Sequence, residues 1–189
     1  MEMNSVNPPS SVGRRKLASP RTQLDRGNWI ENAIDVLAHD GVGGLRVEVL
    51  AKRCGVTKGS FYWHFKDRQD LLAAILEHWK EGRIRDIEKT TSVTPGKERE
   101  QLHFAIEVYG ASRNRKGMSI ELAVRDWARH DPQAATVVEA VDLYRLECTR
   151  KLFVAAGMSD AEAKSRSLLL YACVFGLSLM HYTHFDDHL

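Results

Sequence analysis

The chain has 189 residues, of which 43% are hydrophobic and 28% charged, and its formal net charge is +2. This composition can form a core, and so small a net charge does not by itself indicate a nucleic-acid partner. The longest apolar run, Leu168 to Met180, is shorter than the roughly 20 residues of a membrane span. Residues 1–20 lack the apolar segment of a signal peptide, so we expect a cytoplasmic protein without a membrane partner.

Charge is unevenly distributed along the chain. Residues 1–68 carry 11 Lys and Arg against 7 Asp and Glu, whereas residues 69–189 carry 16 against 18. The N-terminal third is therefore the part that could meet phosphate groups. Residues 1–20 are rich in Ser, Pro and Asn and contain Arg14, Arg15 and Lys16. We interpret them as a flexible basic tail, which either follows DNA or is simply solvated.

The three cysteines, Cys54, Cys148 and Cys173, are widely spaced and form no Cys-x-x-Cys pair. Zinc-ribbon chemistry is therefore excluded. An odd number of cysteines argues against a disulfide framework and fits a reducing cytosol. We expect all three to be buried as small apolar residues, and we expect no metal or cofactor.

The rest of the chain is predicted to be all-α. A first helix is marked by apolar residues at helical spacing and ends at Gly41: Ile30, Ala33, Ile34, Leu37 and Ala38. Two short helices are predicted at 46–53 and 57–65, and Asp67 is expected to cap a long fourth helix. Breaks are predicted at 90–96 and 114–117. Later boundaries are Asp131-Pro132, Gly157, and a capping box at Ser159–Glu162 before a last helix that runs to near His184.

The two short helices have the features of a helix-turn-helix. Ala51 is small enough for close approach of the helices, and Gly55 can adopt the positive φ of the turn. Phe61 and Phe65 lie at i and i+4 and are predicted to face the core. Three large residues then remain on the outer side: Tyr62, Trp63 and His64. Such a helix requires a partner surface, and the major groove of DNA accepts one α-helix.

The segment from Gly55 to Arg68, with Leu71-Leu72 behind it, resembles the signature of the tetracycline-repressor (TetR) family. The resemblance covers about residues 24–80. It implies a three-helix helix-turn-helix domain at 21–68, followed by a larger helical domain for regulation and dimerisation at 69–189. The function implied is a DNA-binding transcriptional regulator, most often a repressor, that acts as a homodimer on a palindromic operator in double-stranded DNA.

The resemblance also implies DNA contacts for individual residues. The leading end of the recognition helix is expected to approach base edges: Thr57, Lys58, Gly59 and Ser60. Contacts with phosphates or the sugar-phosphate wall are expected from four further residues: Tyr62, Trp63, His64 and Lys66. The chain departs from the family at Arg46, which replaces an N-cap Ser or Thr. We expect Arg46 to offset the lost cap by reaching a phosphate.

The last two predicted helices are apolar on more than one face, which favours a homodimer formed through them over a monomer with a central core helix. The residues concerned in the final helix are Leu168, Leu169, Leu170, Tyr171, Val174, Phe175, Leu177 and Leu179. Gly176 and Ser178 would allow close approach of a partner helix. The pair Glu121 and Arg125 indicates either a solvated face or an internal ion pair.

An unidentified small-molecule effector is expected from the resemblance alone, and no binding residues are assigned to it. Aromatic residues that either line a pocket or belong to the core are Trp79, Phe104, Tyr109, Met118, Trp127, Tyr144 and Tyr171. Polar contacts could come from His103, Arg125 and His130. The alternative is that the helical domain at 69–189 has no small-molecule role and recruits a protein instead. The C-terminal group of His181, His184, Asp186, Asp187 and His188 is interpreted as an exposed end, not a metal site.

An enzyme is the remaining class to weigh. The sequence has no Gly-x-Ser-x-Gly, no phosphate-binding loop and no His-Glu-x-x-His motif. Scattered histidines do not by themselves make a catalytic site. We therefore predict that the protein is not an enzyme.

Overall fold

Helices account for nearly all of the regular structure in a computed structural model that describes residues 24–110 and 115–180. The helices are α1 (Arg26–Asp40), α2 (Val47–Arg53), α3 (Lys58–Tyr62), α4 (Arg68–Thr91), α5 (Glu98–Gly110), α6 (Arg115–Ala128), α7 (Pro132–Ala155) and α8 (Asp160–Leu179). A short 3-10 helix, η1 (Val42–Gly44), joins α1 to α2. The all-α prediction is confirmed. The predicted tail at 1–20 and the C-terminal His/Asp group lie outside the described residues.

Helix boundaries follow the capping residues that the sequence indicated. The Asp67 carboxylate accepts from the Asp70 N–H at the start of α4. Asp131 caps α7, with Pro132 in its first turn. Ser159 and Glu162 form a reciprocal capping box at α8. Each of these motifs satisfies backbone donors that have no partner within their own helix.

Several boundaries differ from the prediction, and among them the last helix ends at Leu179 and not near His184, because the Met180 backbone is already extended. The stretch Val42–Gly44 forms a 3-10 turn after Gly41, whose φ is 65°, and three residues are too few to show a periodic pattern. The recognition helix ends at Tyr62 and not at Phe65, although the Phe65 N–H still donates to the Phe61 carbonyl at 3.1 Å. Helix α6 begins at Arg115, inside the predicted polar break.

A continuous hydrophobic core joins the first four helices to the rest of the chain. Helix α1 packs against α6, and α4 packs against α7. Trp29, Phe61 and Leu71 belong to the same buried cluster as Trp127 and Val141. The head (α1–α3) is therefore held to the body (α5–α8) by apolar packing of α1 against α6 and by α4, which packs against both α1 and α7.

Helix α8 has two separate apolar faces. One face is buried within the chain: Ala163, Ser167, Tyr171 and Val174. The other carries side chains that are more than half exposed, namely Leu168, Leu169 and Leu179, and the equally exposed Met180 follows at the C-cap. The expectation of buried cysteines is wrong for Cys173, which is exposed on this second face, while Cys54 and Cys148 are half-buried. In the described ranges, no helix is both long and apolar enough to cross a membrane.

Candidate DNA-binding site

A tight turn joins α2 to α3. Gly55 has a φ of 67°, a conformation that costs little only for glycine. The Val56 N–H donates to the Ala51 carbonyl at 3.0 Å, and Ala51 is almost fully buried. These contacts produce the helix crossing that the sequence predicted for a helix-turn-helix.

Aromatic packing fixes the orientation of α3. The Phe61 ring lies 5.5 Å from the Trp29 ring in an edge-on arrangement, and 5.2 Å from Phe65 in a stacked one. All three side chains are buried, so one face of α3 is anchored to α1. The opposite face carries Tyr62, 59% exposed, and Trp63, 83% exposed. The prediction that these side chains would not be buried with Phe61 is confirmed for both.

Arg68 ties the start of α4 to the segment before α2. Its Nε donates to the Leu45 carbonyl at 2.6 Å, and its Nη2 donates to the Val42 carbonyl at 2.8 Å. Both carbonyls lie outside regular α-helix, where backbone acceptors need partners from elsewhere. Arg68 therefore links the orientation of the helix-turn-helix directly to α4.

The leading end of α3 exposes small polar groups. Thr57 occupies the N-cap position, but its side chain makes no capping hydrogen bond. A Cβ added to Gly59 would meet only the Thr57 Oγ1, at 3.6 Å, which is an ordinary contact. Packing within the chain does not require a glycine there, whereas close approach of another molecule would. Ser60 is half-buried and Lys58 is exposed.

An ion pair that the sequence did not reveal spans α2 and α3. The Lys58 ammonium contacts the Glu48 carboxylate. That hydrogen bond, with the charges of Lys58 and Arg46, lowers the pKa of Glu48 below its usual value. Glu48 is exposed, so an acidic group lies among the cations of this surface. Residues ten positions apart on different helices give no periodic signal that could have identified the pair.

The N-terminus of α4, which follows the helix-turn-helix, offers fewer free backbone N–H donors to a phosphate than the sequence led us to expect. The Lys66 backbone N–H donates to the Asp70 Oδ2 at 3.0 Å, and the Asp70 N–H donates to Asp67 at 2.9 Å. Two carboxylates therefore already occupy donors near the N-terminus of α4, although the Lys66 residue itself is exposed. His64 is half-buried, and its Nε2 is enclosed with no partner among the described residues.

Arg46 occupies the N-cap of α2 without a side-chain capping bond. Its side chain is exposed and acts on the Glu48 carboxylate electrostatically. This agrees with the lost cap that the sequence indicated, and it leaves the guanidinium available to an outside partner.

We therefore predict that Arg46→Ala lowers DNA affinity and reduces the slope of log affinity against log salt concentration by about 0.9, the value for one phosphate contact. Fluorescence anisotropy across a salt series measures both. Arg85→Ala removes the same charge from an exposed position in the middle of α4 and serves as the control. An unchanged slope for Arg46→Ala would contradict the phosphate contact.

Glu48→Gln is expected to raise DNA affinity, because it removes a negative charge from the surface that faces phosphates and frees Lys58. The salt dependence should become steeper by up to about one phosphate contact. The matched control is Glu81→Gln, which removes an exposed carboxylate of α4 far from α3. Equal affinities for the two variants would show that Glu48 does not face DNA.

The helical body contains an internal ion cluster. Glu121 is 3% exposed and its Oε1 accepts from Arg125 at 2.9 Å and from Arg145 at 3.3 Å. Asp142 lies on the other side of both arginines. Burial by itself would lower the pKa of Arg125, but the bonds and charges of Asp142 and Glu121 outweigh it and raise that pKa. Of the two alternatives for Glu121 and Arg125, the internal ion pair is therefore correct.

A cavity of about 330 Å³ lies beside this cluster, between α4, α5 and α7. Its lining is Arg83, Asp86, Ile87, Lys89, Thr90, Phe104, Val108 and Arg145. Of the aromatic candidates from the sequence, Phe104 lines this cavity, whereas Trp79, Trp127 and Tyr171 are buried in packing.

The Tyr144 hydroxyl donates to Glu88 at 2.8 Å, which raises the pKa of Tyr144 to about 12. His103 and His130 are exposed, and the Tyr109 side chain lies outside the described residues.

The fold and the α2–α3 geometry define a helix-turn-helix protein, and comparison with known proteins identifies its kind. The family model for bacterial regulatory proteins of the tetR family matches residues 30–75. The chain therefore carries, over residues 30–75, a segment that matches the DNA-binding domain of this family. The resemblance stated from the sequence is confirmed.

Two curated relatives show how far this similarity extends. The chain is 38% identical over 55 residues to the transcriptional regulator AcrR of Shigella flexneri, and 41% identical over 56 residues to the class A tetracycline repressor from transposon 1721 of Escherichia coli. The match spans 26% of each relative, or about a quarter of its length. Both names describe regulators, in agreement with the prediction that this chain is not an enzyme.

Solved structures share the fold beyond that domain. A transcriptional regulator from Rhodococcus has a TM-score of 0.67 at 22% identity, with 82% of both chains covered. SmeT, the repressor of a Stenotrophomonas maltophilia multidrug efflux pump, has a TM-score of 0.61 at 21% identity, with 84% of this chain and 79% of SmeT covered. A Saccharomonospora viridis protein solved with choline has a TM-score of 0.68 at 18% identity, with 82% and 83% covered. At these identities the likeness concerns the fold.

Proposed function

We propose that this protein is a sequence-specific transcriptional regulator that binds a palindromic operator as a homodimer and acts as a repressor released by a small molecule. The observation that carries the proposal is the anchored α3 with its exposed outer face. Trp63 is 83% exposed and Tyr62 59% exposed, and the nearby Lys58 and Lys66 are exposed as well. Large aromatic side chains on a five-residue helix are costly to leave in water unless a partner covers them.

The exposed face of α8 supports the dimer. Leu168 and Leu169 are 61% and 62% exposed, and Leu179 continues the same face about three turns later. Gly176, also exposed, lies between them and would let a second helix approach closely. A closed dimer formed by such a patch is two-fold symmetric, and it would present two recognition helices to a palindromic site.

Helix α4 supplies a physical connection between the body and the head. Its first turns place Leu71 and Leu72 in the core shared with Phe61, and its C-terminal half carries Arg83 beside the cavity. Arg68 bonds the same helix to the segment before α2. A ligand that binds better when α4 is displaced would shift the population toward a spacing of recognition helices that no longer fits DNA. The choline complex of the Saccharomonospora viridis protein supports the idea that this fold accepts a small molecule.

Selection of bound sequences from a random DNA library tests the proposal, since no operator need be assumed. We expect an enriched palindrome whose half-sites lie about 34–36 Å apart, one helical turn of DNA. Tyr62→Ala in full-length protein should reduce the enrichment without changing the melting temperature, because Tyr62 is mostly exposed. Failure to enrich any sequence would contradict the DNA function, and an asymmetric site would contradict the symmetric dimer.

A further inference from the structure

We propose that the cavity between α4, α5 and α7 binds a small anionic amphiphile, an apolar molecule with one carboxylate, and that this is the effector. The inference rests on the proposed function, because an effector has meaning only for a regulator. The cavity has a volume of about 330 Å³, at the lower end of the range of roughly 300–1,000 Å³ for ligand sites. Its occupant is therefore small.

The charge of the lining selects an anion. Three lining residues are cationic, Arg83, Lys89 and Arg145, against one acidic residue, Asp86. Asp86 has an exposed side chain and pairs with Arg83, so solvent screens its charge more than that of the buried Arg145. Glu121 and Asp142 already offset the charge of Arg145, so the preference for a negative ligand rests on Arg83 and on the exposed Lys89.

Arg83 has a donor that the chain does not use. Its Nη2 donates to Asp86 at 2.8 Å, and its Nη1 lies 4.0 Å from the Glu121 carboxylate. Its Nε is buried and has no acceptor among the described residues. Buried guanidinium donors are ordinarily bonded. An incoming carboxylate supplies the missing acceptor, and arginine can bind it through two parallel hydrogen bonds.

Arg145 is held in place before any ligand arrives. Its side chain is 8% exposed, and its Nη1 donates to Glu121 at 3.3 Å and to Asp142 at 3.2 Å. Its guanidinium carbon also lies 5.3 Å from the centre of the Tyr171 ring. Because the side chain is already ordered, little conformational entropy is lost when an anion binds beside it.

The apolar part of the ligand has its own surface. Phe104 and Val108 lie one turn apart on α5 and are 45% and 44% exposed, and Ile87 of α4 lines the same cavity. A short hydrocarbon chain or an aromatic ring would cover these side chains and remove their apolar area from water. A site with cations beside α4 and α7 and an apolar wall on α5 matches a molecule that is polar at one end only.

The test uses the full-length protein and three matched probes: phenylbutyrate, phenylbutanamide and phenylbutylamine. Isothermal titration calorimetry should detect binding of the carboxylate and weak or no binding of the amide and amine. Arg83→Gln should weaken phenylbutyrate binding about tenfold or more, because it removes a charge-assisted hydrogen bond. Arg85→Gln, an exposed arginine of the same helix outside the cavity lining, should leave the affinity unchanged.

Each result decides the proposal. Equal or tighter binding of the amine, or equal phenylbutyrate affinity in Arg83→Gln and Arg85→Gln, overturns the anion site. Operator binding is measured separately with the selected DNA in the absence of any probe, so a protein that binds DNA but not phenylbutyrate refutes this inference and leaves the proposed DNA function intact. If phenylbutyrate binds and weakens operator affinity, the result supports both the anion site and its role as the effector site. If phenylbutyrate binds and operator affinity is unchanged, the effector role is overturned.

Discussion

Leu168→Glu combined with Leu169→Glu should convert the protein to a monomer and lower its affinity for the selected operator by roughly 10²-fold or more. Both side chains are more than half exposed in the single chain, so the folded monomer tolerates the change. In a symmetric dimer the substitution brings four carboxylates into an apolar contact, where unpaired charge is strongly unfavourable. Once the second recognition helix is no longer tethered, the second half-site contributes no added affinity.

Sedimentation velocity and fluorescence anisotropy measure the two consequences independently. Val93→Glu is the control, because Val93 is an exposed apolar residue in the loop between α4 and α5 and not part of the α8 face. The control should remain dimeric and bind the operator normally. A dimeric double variant would place the interface on another surface, whatever its DNA affinity.

Glu121→Ala should destabilise the fold by about 3–5 kcal/mol, the usual effect of removing one partner from a buried ion pair. Glu121 is 3% exposed and has Arg125, Arg145 and Arg83 around its carboxylate. Without it, Asp142 alone faces Arg125 and Arg145 within the cluster, so the buried Arg145 and the half-buried Arg125 each lose an acceptor. The cluster joins α6 to α7, so the loss should be felt across the body.

Urea denaturation monitored by circular dichroism checks this value, with the midpoint expected to fall at an unchanged slope. Glu121→Gln retains the size of the side chain and one acceptor oxygen, so its effect should be smaller than that of alanine. Glu81→Ala provides the matched control, since Glu81 is an exposed glutamate of α4 that pairs with Arg85. A midpoint for Glu121→Ala equal to that of Glu81→Ala would contradict the structural role of the cluster.

The features that could be predicted from sequence are those that depend on near neighbours in the chain. Asp67, Asp131 and Ser159 cap helices because their side chains reach donors two or three residues away. Phe61 and Phe65 share a helical face, so the exposure of Tyr62 and Trp63 followed directly. The recognition helix could be predicted for the same reason, because the residues of its signature follow one another directly in the sequence.

The remaining features depend on how helices cross. Glu48 and Lys58 meet only because α2 and α3 pack at a particular angle, and Arg83 approaches Glu121 only because α4 lies beside α6. No spacing in the sequence encodes either contact. The same holds for α8. Its apolar residues predicted a partner helix, but only the packed structure shows which face stays exposed and that Cys173 lies on it.

The packing of α1 against α6 has a consequence for attempts to build hybrid regulators. Trp29 and Ile30 on one side and Val124 and Trp127 on the other form part of one buried cluster. A helix-turn-helix domain grafted from another protein would bring its own α1 side chains. Their volumes would not match those of the α6 side chains against which they must pack. A working chimera should therefore transplant the residues of α6 that contact α1 together with the first three helices. The junction between the two proteins can lie within α4 only when the α1 and α6 surfaces come from the same protein.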